Sequence, residues 1–84
     1  MGSAEILESV RDVCAEILGV PRDSIEPSSQ LRDDLGADSL DFVELVMALE
    51  DRTGVSIPEQ EFREVKAIED VVAVVTRHQA SISS

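Results

Sequence analysis

The first segment with a regular pattern of apolar positions runs from Ala4 to Leu18, where apolar residues recur at spacings of three and four. This spacing is typical of an amphipathic helix, with the intervening charged residues on the opposite face. Gly19 suits a helix C-cap and Pro21 follows closely, so we expect the helix to end near residue 19.

Residues 20–37 lose this periodicity and contain prolines, serines and a glycine instead. Such a composition predicts a loop. We expect it to be ordered, with a short helical turn from Leu31 to Leu35, because apolar side chains are spread along it. The apolar residues that would hold the loop on the core are Val20, Ile25, Leu31 and Leu35.

A second helical pattern begins at Asp38 and ends before Gly54, with a broad apolar face. Asp38 is a good N-cap residue. Asp41, three residues later, places a second carboxylate in the first turn, where free N–H groups and the helix dipole favour negative charge. We therefore expect this helix to start at residues 38–39 and to be central to the fold.

Two further helices are predicted in the C-terminal third. Pro58 suits the start of a short helix of about two turns. The last helix starts near Ile68 with Glu69 and Asp70 and closes with Arg77 and His78, the charge order that a helix dipole prefers. Residues 71–75 favour a strand by propensity, but an isolated strand would have no partner in a helical chain.

These segments predict an all-α fold, a small four-helix bundle. It has three longer helices plus one short helix, and a long loop between the first two. We interpret residues 1–84 as a single domain, ordered over about 4–79, with 80–84 as a tail. The residues expected in the core are Val10, Ile17, Val43, Val46, Leu49, Ile57, Ile68, Val72 and Val75.

The charge balance narrows the choice of partners. Eighteen Asp and Glu against seven Lys and Arg give a net charge of −11. Residues 33–64 carry ten of the acidic residues and two arginines, a local balance of −8. Nucleic acids and anionic membranes would repel such a chain, so we expect neither and predict basic protein partners.

The sequence also bears on the cellular location and the oligomeric state of the protein. No apolar run approaches the roughly 20 residues that a membrane-spanning helix needs, and one cysteine cannot form an intramolecular disulfide. We therefore expect a cytoplasmic monomer.

Candidate catalytic and metal sites are weak. The sequence contains no nucleophile motif for which its only histidine, His78, could act as a base. We interpret His78 as an exposed residue at a helix end. Cys14 lies on an apolar helix face and fits a buried structural residue better than a reactive thiol. Calcium-loop spacing fails whether counted from Asp33 or from Asp34. We expect no catalytic residue and no dedicated metal site.

The remaining feature is the segment from Leu35 to Asp41, where a glycine turn delivers Ser39 to the first turn of a helix. A phosphate ester on Ser39 would lie beside unsatisfied backbone N–H groups, a favourable place for an anion. Asp38 could help to hold the divalent metal of a phosphoryl-transfer enzyme. Taken alone, the Asp38-Ser39-Leu40 sequence is better explained by an ordinary helix cap, because caps of this kind are common.

Over nearly its whole length the chain resembles a discrete acyl carrier protein. The resemblance rests on the long run from Leu35 to Glu50, with Ile57-Pro58 and 78–80 at matching distances. It implies that Ser39 carries 4′-phosphopantetheine, transferred from coenzyme A by a phosphopantetheinyl transferase, and that acyl groups ride on the arm as thioesters. It also implies a helical bundle, as the periodicity does.

The resemblance further implies that the helix starting at Ser39 binds partner enzymes such as acyltransferases and ketosynthases through basic docking patches. The short helix would add to that surface. The residues that inherit this role are Asp38, Asp41, Glu44, Met47, Glu50 and Asp51, with Glu59 and Glu61.

Several features leave the cargo open. In this family the aliphatic core can open around an acyl chain, but Phe42 lies where bacterial fatty-acid carriers often have a smaller residue and could narrow the entrance. Pro21, Arg22, Arg32 and residues 52–54 are not distinctive of primary fatty-acid synthesis either. A fatty-acid or a polyketide-type pathway fits, and an aminoacyl carrier shares the same arm chemistry.

The alternative from another class is an acidic helical adaptor that binds a basic partner without a prosthetic group. In that case Ser39 would only cap a helix, and charge reversal at Asp41 or Glu44 would matter more than loss of the serine.

Overall fold

Four α-helices make up the fold: α1 (Ser3–Leu18), α2 (Ser39–Thr53), α3 (Glu59–Arg63) and α4 (Ile68–Ser83). The computed structural model describes residues 2–83, and side chains as far as Gln79. Helix α1 packs against both α2 and α4, while the short α3 lies between α2 and α4. The prediction of a small all-α bundle with three longer helices and one short helix is confirmed.

The helix boundaries follow the capping residues of the sequence. Gly19 adopts a left-handed conformation with φ 69°, and its N–H donates to the Ala15 carbonyl at the end of α1. Residues 71–75 are helical despite their strand propensity, as predicted. Helix α4 continues past Gln79 to Ser83, across the part of the chain where the sequence predicts a tail.

The long loop between α1 and α2 is tied to the connection between α3 and α4. The N–H of Leu31 donates to the Lys66 carbonyl, and the N–H of Ile68 donates to the Ser29 carbonyl, each at 2.9 Å. The side chains of Ile25 and Leu31 are fully buried. The apolar residues of the loop therefore hold it on the core, and its end is placed firmly before α2 begins.

The core is largely aliphatic, with Phe42 and Phe62 added between α2 and α3. Six of the nine residues expected in the core are buried. Ile17 and Val72 are half-buried, and the assignment of Val43 to the core is wrong, since this side chain is 38% exposed. Val43 lies well over 90° around α2 from Leu45 and Leu49, on the side that faces solvent.

Ion pairs fasten the start of the long loop to α1. The guanidinium of Arg22, in a 3-10 turn over Arg22–Ser24, donates to the carboxylates of Glu8 and Asp12. Asp12 also accepts from Arg52 of α2 at 2.8 Å. These charged side chains therefore connect α1, the loop and α2 on one side of the molecule.

Candidate functional site

Ser39 is the first residue of α2, and its side chain is exposed. Asp38 is the N-cap: one of its carboxylate oxygens accepts from the Asp41 N–H at 2.9 Å. The Asp41 carboxylate accepts in return from the Asp38 N–H at 3.0 Å, which completes a capping box. The predicted N-cap and first-turn carboxylate are confirmed as structural features.

The turn before Ser39 depends on a glycine. Gly36 has a φ of 74°, a left-handed conformation that side-chain-bearing residues rarely adopt. Its N–H donates to the Arg32 carbonyl at 3.2 Å, so the turn closes directly onto the end of the loop. This geometry brings the chain sharply into α2 and leaves Ser39 at the surface.

A small cavity of about 190 Å³ lies beside Ser39 and is lined by Arg32, Phe42 and Arg63 as well. The Arg32 guanidinium carbon is 4.7 Å from the centre of the Phe42 ring. Phe42 meets Phe62 edge to face, with ring centres 5.7 Å apart. Two arginines and the Phe42 ring therefore line the space beside the serine, and Phe62 packs against that ring. Sequence reasoning did not assign Arg32 or Arg63 to the site, because nothing in the spacing predicts that the loop and α3 meet there.

The solvent face of α2 combines apolar and acidic side chains. Leu40 is 66% exposed and Met47 62% exposed, and both lie on the same face as Val43. Glu44 and Asp51 are exposed beside them. Sequence reasoning included Met47 in a docking surface but missed Leu40 and Val43. The angular positions of Leu40 and Val43 around α2, compared with those of its buried residues, indicate that both face solvent.

Other acidic residues expected in that surface have structural contacts instead of being freely available. The Asp41 carboxylate closes the capping box. The Glu50 carboxylate accepts from the Ile57 N–H at 2.8 Å and so anchors the segment that leads to α3.

On α3, Glu59 pairs with Arg63 at 2.8 Å, and Glu61 pairs with His78 at 2.8 Å and Arg77 at 3.2 Å. The freely presented part of the predicted surface is therefore Glu44, Met47 and Asp51.

Neither His78 nor Cys14 belongs to this site. The prediction of an exposed His78 at a helix end is wrong: the ring is half-buried against Glu61, and α4 extends beyond it. Cys14 is buried in the core, and this burial raises the pKa of its thiol to about 12. It is a packing residue, as its position on an apolar helix face predicts.

The described part of the chain has neither a metal cluster nor a membrane-spanning helix. Among the side chains described, those of residues 2–79, no group of three or more His, Cys, Asp or Glu is arranged to hold a metal ion. None of the helices described is long and apolar enough to cross a membrane.

Comparison with known proteins agrees with this geometry. Residues 8–75 match the family model described as "Phosphopantetheine attachment site". An acyl carrier protein of Rubrobacter xylanophilus is 40% identical over 81 residues, 96% of this chain and 100% of the relative. One of Campylobacter hominis is 49% identical over 71 residues, 84% of this chain and 90% of the relative.

A solved structure from Mycobacterium tuberculosis, described as a candidate acyl carrier protein, superposes with a TM-score of 0.78. It is 30% identical, and the match covers 86% of this chain and 96% of that one. Family model, relatives and fold agree with the resemblance seen in the sequence. The chain therefore belongs to the acyl carrier protein family: it is a phosphopantetheine-dependent carrier and not an enzyme.

Proposed function

We propose that Ser39 is the residue to which 4′-phosphopantetheine is attached. The observation that carries this proposal is the position of Ser39: exposed, at the first residue of a capped helix, beside an open cavity. The hydroxyl oxygen would bond to the phosphorus of the arm in coenzyme A, with 3′,5′-ADP as the leaving group and the proton passing to the transferase.

The residues around Ser39 fit such a group. Apart from the Asp41 N–H, which donates to Asp38, the first-turn N–H groups have no carbonyl one turn earlier to bind, so they are available to a phosphate oxygen. Arg32 and Arg63 line the neighbouring cavity and carry positive charge. Once attached, the arm supplies a terminal thiol that holds an acyl group as a thioester. The capping box of Asp38 and Asp41 holds the start of α2 in one conformation for every partner.

The exposed face of α2 is the surface we propose for partner enzymes. Glu44 and Asp51 supply negative charge, and Leu40, Val43 and Met47 supply an apolar centre. Charge steers encounters with Lys and Arg patches on the transferase, acyltransferase or ketosynthase, while limited apolar contact keeps them short-lived. This combination suits a carrier that must visit several enzymes and leave each one.

We further propose that the cargo belongs to fatty-acid or polyketide-type biosynthesis and that the carrier works as a monomer in the cytoplasm. The family supports an acyl cargo, and the unpaired cysteine fits a reducing compartment. The aromatic pair bears on the size of the cargo: Phe42 is buried three residues after Ser39 and packs against Phe62, so it narrows the entrance that an acyl chain would use to reach the core.

The site is tested by intact-protein mass spectrometry after incubation with coenzyme A, Mg²⁺ and a broad-specificity phosphopantetheinyl transferase. We expect one phosphopantetheine on the wild type and none on Ser39→Ala. Ser56→Ala, which removes another exposed serine, is the matched control and should load fully. Loading of folded Ser39→Ala would show that the attachment residue lies elsewhere.

A further inference from the structure

Basic side chains are few in this acidic protein, and two of them lie beside Ser39. The chain has seven Lys and Arg in all. Two of them, Arg32 and Arg63, line the small cavity beside Ser39. The same two arginines also line a larger cleft of about 550 Å³ between the loop and the segment that follows α3. The two spaces therefore adjoin at the arginine pair.

The larger cleft has a mixed lining. Lys66 adds a third cation, Asp33 and Glu64 add carboxylates, and Gln30 and Val65 complete the wall. A volume of this size is typical of small-molecule sites. A ligand in this cleft would place its anionic group near Arg32 and Arg63. Its amide N–H groups could donate to the carboxylates of Asp33 and Glu64.

Arg32 is held in place by its contact with Phe42. The guanidinium carbon is 4.7 Å from the ring centre, a cation–π geometry. Phe42 is itself buried and braced by Phe62. Stacking uses the face of the guanidinium and leaves its N–H edge able to donate. Arg32 is therefore positioned before any anion arrives.

Arg63 is more weakly engaged. Its contact in the structure is an ion pair with Glu59 at 2.8 Å, four residues earlier on α3, and both side chains are largely exposed. Exposed pairs of this kind contribute little to stability. An anion fixed at Ser39 would compete with Glu59 for Arg63 at high local concentration.

The space between Ser39 and the core, by contrast, is filled by side chains. Phe42 and Phe62 pack edge to face beneath the small cavity, and both rings are buried. An arm attached to Ser39 thus meets packed aromatic rings toward the core and an open cationic cleft toward α3.

We propose that the Arg32–Arg63 pair binds the phosphodiester of the prosthetic arm and directs the pantetheine portion into the cleft along Lys66. This inference rests on the proposed attachment at Ser39. Arg32 and Arg63 act as positioning residues: they fix where the arm leaves the protein surface, and they take no part in the chemistry of loading.

The test uses carrier labelled with ¹³C and ¹⁵N and loaded with an unlabelled arm, after mass spectrometry has established the loading. Isotope-filtered NOE spectra report which protein protons lie near the geminal methyl groups of the arm. We expect contacts to the Val65 methyls and the Gln30 side-chain amide. Contacts confined to Leu40 or Met47 on the exposed face of α2, or the absence of any contact, would overturn the proposal.

Variants supply a second readout through the ³¹P chemical shift of the phosphodiester. In Arg32→Gln and Arg63→Gln we expect the resonance to move toward that of a loaded peptide spanning residues 35–41, with loss of the Val65 contacts. Arg77→Gln, which removes another exposed arginine paired with Glu61, is the matched control and should leave both signals unchanged.

The outcomes separate the two proposals. A wild-type protein that does not load at Ser39 overturns the attachment site and this inference together. A protein that loads at Ser39 but shows the same ³¹P shift in all three variants retains the attachment site and overturns the arginine site alone.

Discussion

Through its contacts, Phe42 connects the start of α2 to the rest of the fold. It lies three positions after Ser39 in α2, is buried, and contacts both Arg32 and Phe62. The sequence shows an aromatic residue near Ser39 but not the partners of that ring, because Arg32 lies in the loop and Phe62 in α3. One side chain thus joins three segments next to the proposed attachment site.

Replacing Phe42 by alanine should lower the free energy of unfolding by about 3–5 kcal/mol, since it leaves a cavity and removes both aromatic contacts. Phe42→Leu, which refills most of the volume, should cost clearly less. Urea unfolding followed by circular dichroism measures both. Met47→Ala is the control on the same helix and should change stability little, because Met47 is exposed. An equally small effect at Phe42 would contradict the packing described.

At the scale of the element, α2 is a helix with two different faces and a well-defined start. Its beginning could be predicted from the sequence, because Asp38 and Asp41 form a local capping box that needs no tertiary contact. Its outer face could be predicted only in part. Val43 looks like a core residue by composition, and only its phase around the helix shows that it faces solvent.

The capping box yields a prediction about stability. Asp38→Ala removes the acceptor for the Asp41 N–H and should cost about 1 kcal/mol of unfolding free energy. Asp41→Ala should cost less, and the two effects should roughly add in the double variant, because each carboxylate accepts from a backbone N–H that alanine retains. Asp51→Ala, near the C-terminal end of α2, should be neutral or slightly stabilising because a carboxylate there opposes the helix dipole. A change at Asp38→Ala as small as that at Asp51→Ala would argue against the capping bond.

The acidic face of α2 yields a prediction about rates. Glu44→Lys and Asp51→Lys should each slow arm transfer at low salt, on the order of tenfold, because electrostatic steering toward a basic transferase is lost. Initial rates at low carrier concentration measure this, and the gap to wild type should narrow as salt is added.

Glu26→Lys makes the same change in net charge on an exposed loop residue and controls for it. An equal loss of rate in that variant would show that the total charge matters and the face of α2 does not.

For the whole molecule, the bundle and its order of helices could be predicted from periodicity, but the connections between segments could not. Glu50 anchors the segment before α3, Glu61 pairs with α4, and Asp12 links Arg22 to Arg52. Each contact joins residues distant in sequence, so no local pattern indicates it. Much of the acidity that looks available for partners in the sequence therefore holds the fold together instead.

The Arg22 cluster predicts how stability changes with pH. Hydrogen bonds from Arg22 lower the pKa of both Glu8 and Asp12 below their ordinary values. A lowered carboxyl pKa stabilises the fold above the unfolded-chain value, about 4, and this contribution is lost as pH falls below it. Arg22→Gln should therefore be less stable than wild type at neutral pH, with the difference shrinking in acid.

Urea unfolding of both proteins at neutral pH and near pH 3 tests this expectation. Arg77→Gln, which lies outside the cluster, provides the comparison for a simple change in net charge. A difference between wild type and Arg22→Gln that stays constant across this range would show that the two carboxylates do not carry the effect.

The burial of Cys14 has a practical result for anyone following this carrier through its cycle. It is the only cysteine in a chain that has no Trp and no Tyr, so near-ultraviolet absorbance gives almost no measure of concentration. With a thiol pKa of about 12, Cys14 should stay silent toward a colorimetric thiol reagent while the protein is folded. The colour formed by native protein then measures the number of arms whose thiol carries no acyl group. A second reading in urea adds one equivalent of Cys14 per chain, so for carrier in which every chain bears the arm a single cuvette reports both the amount of carrier and the fraction that is acylated.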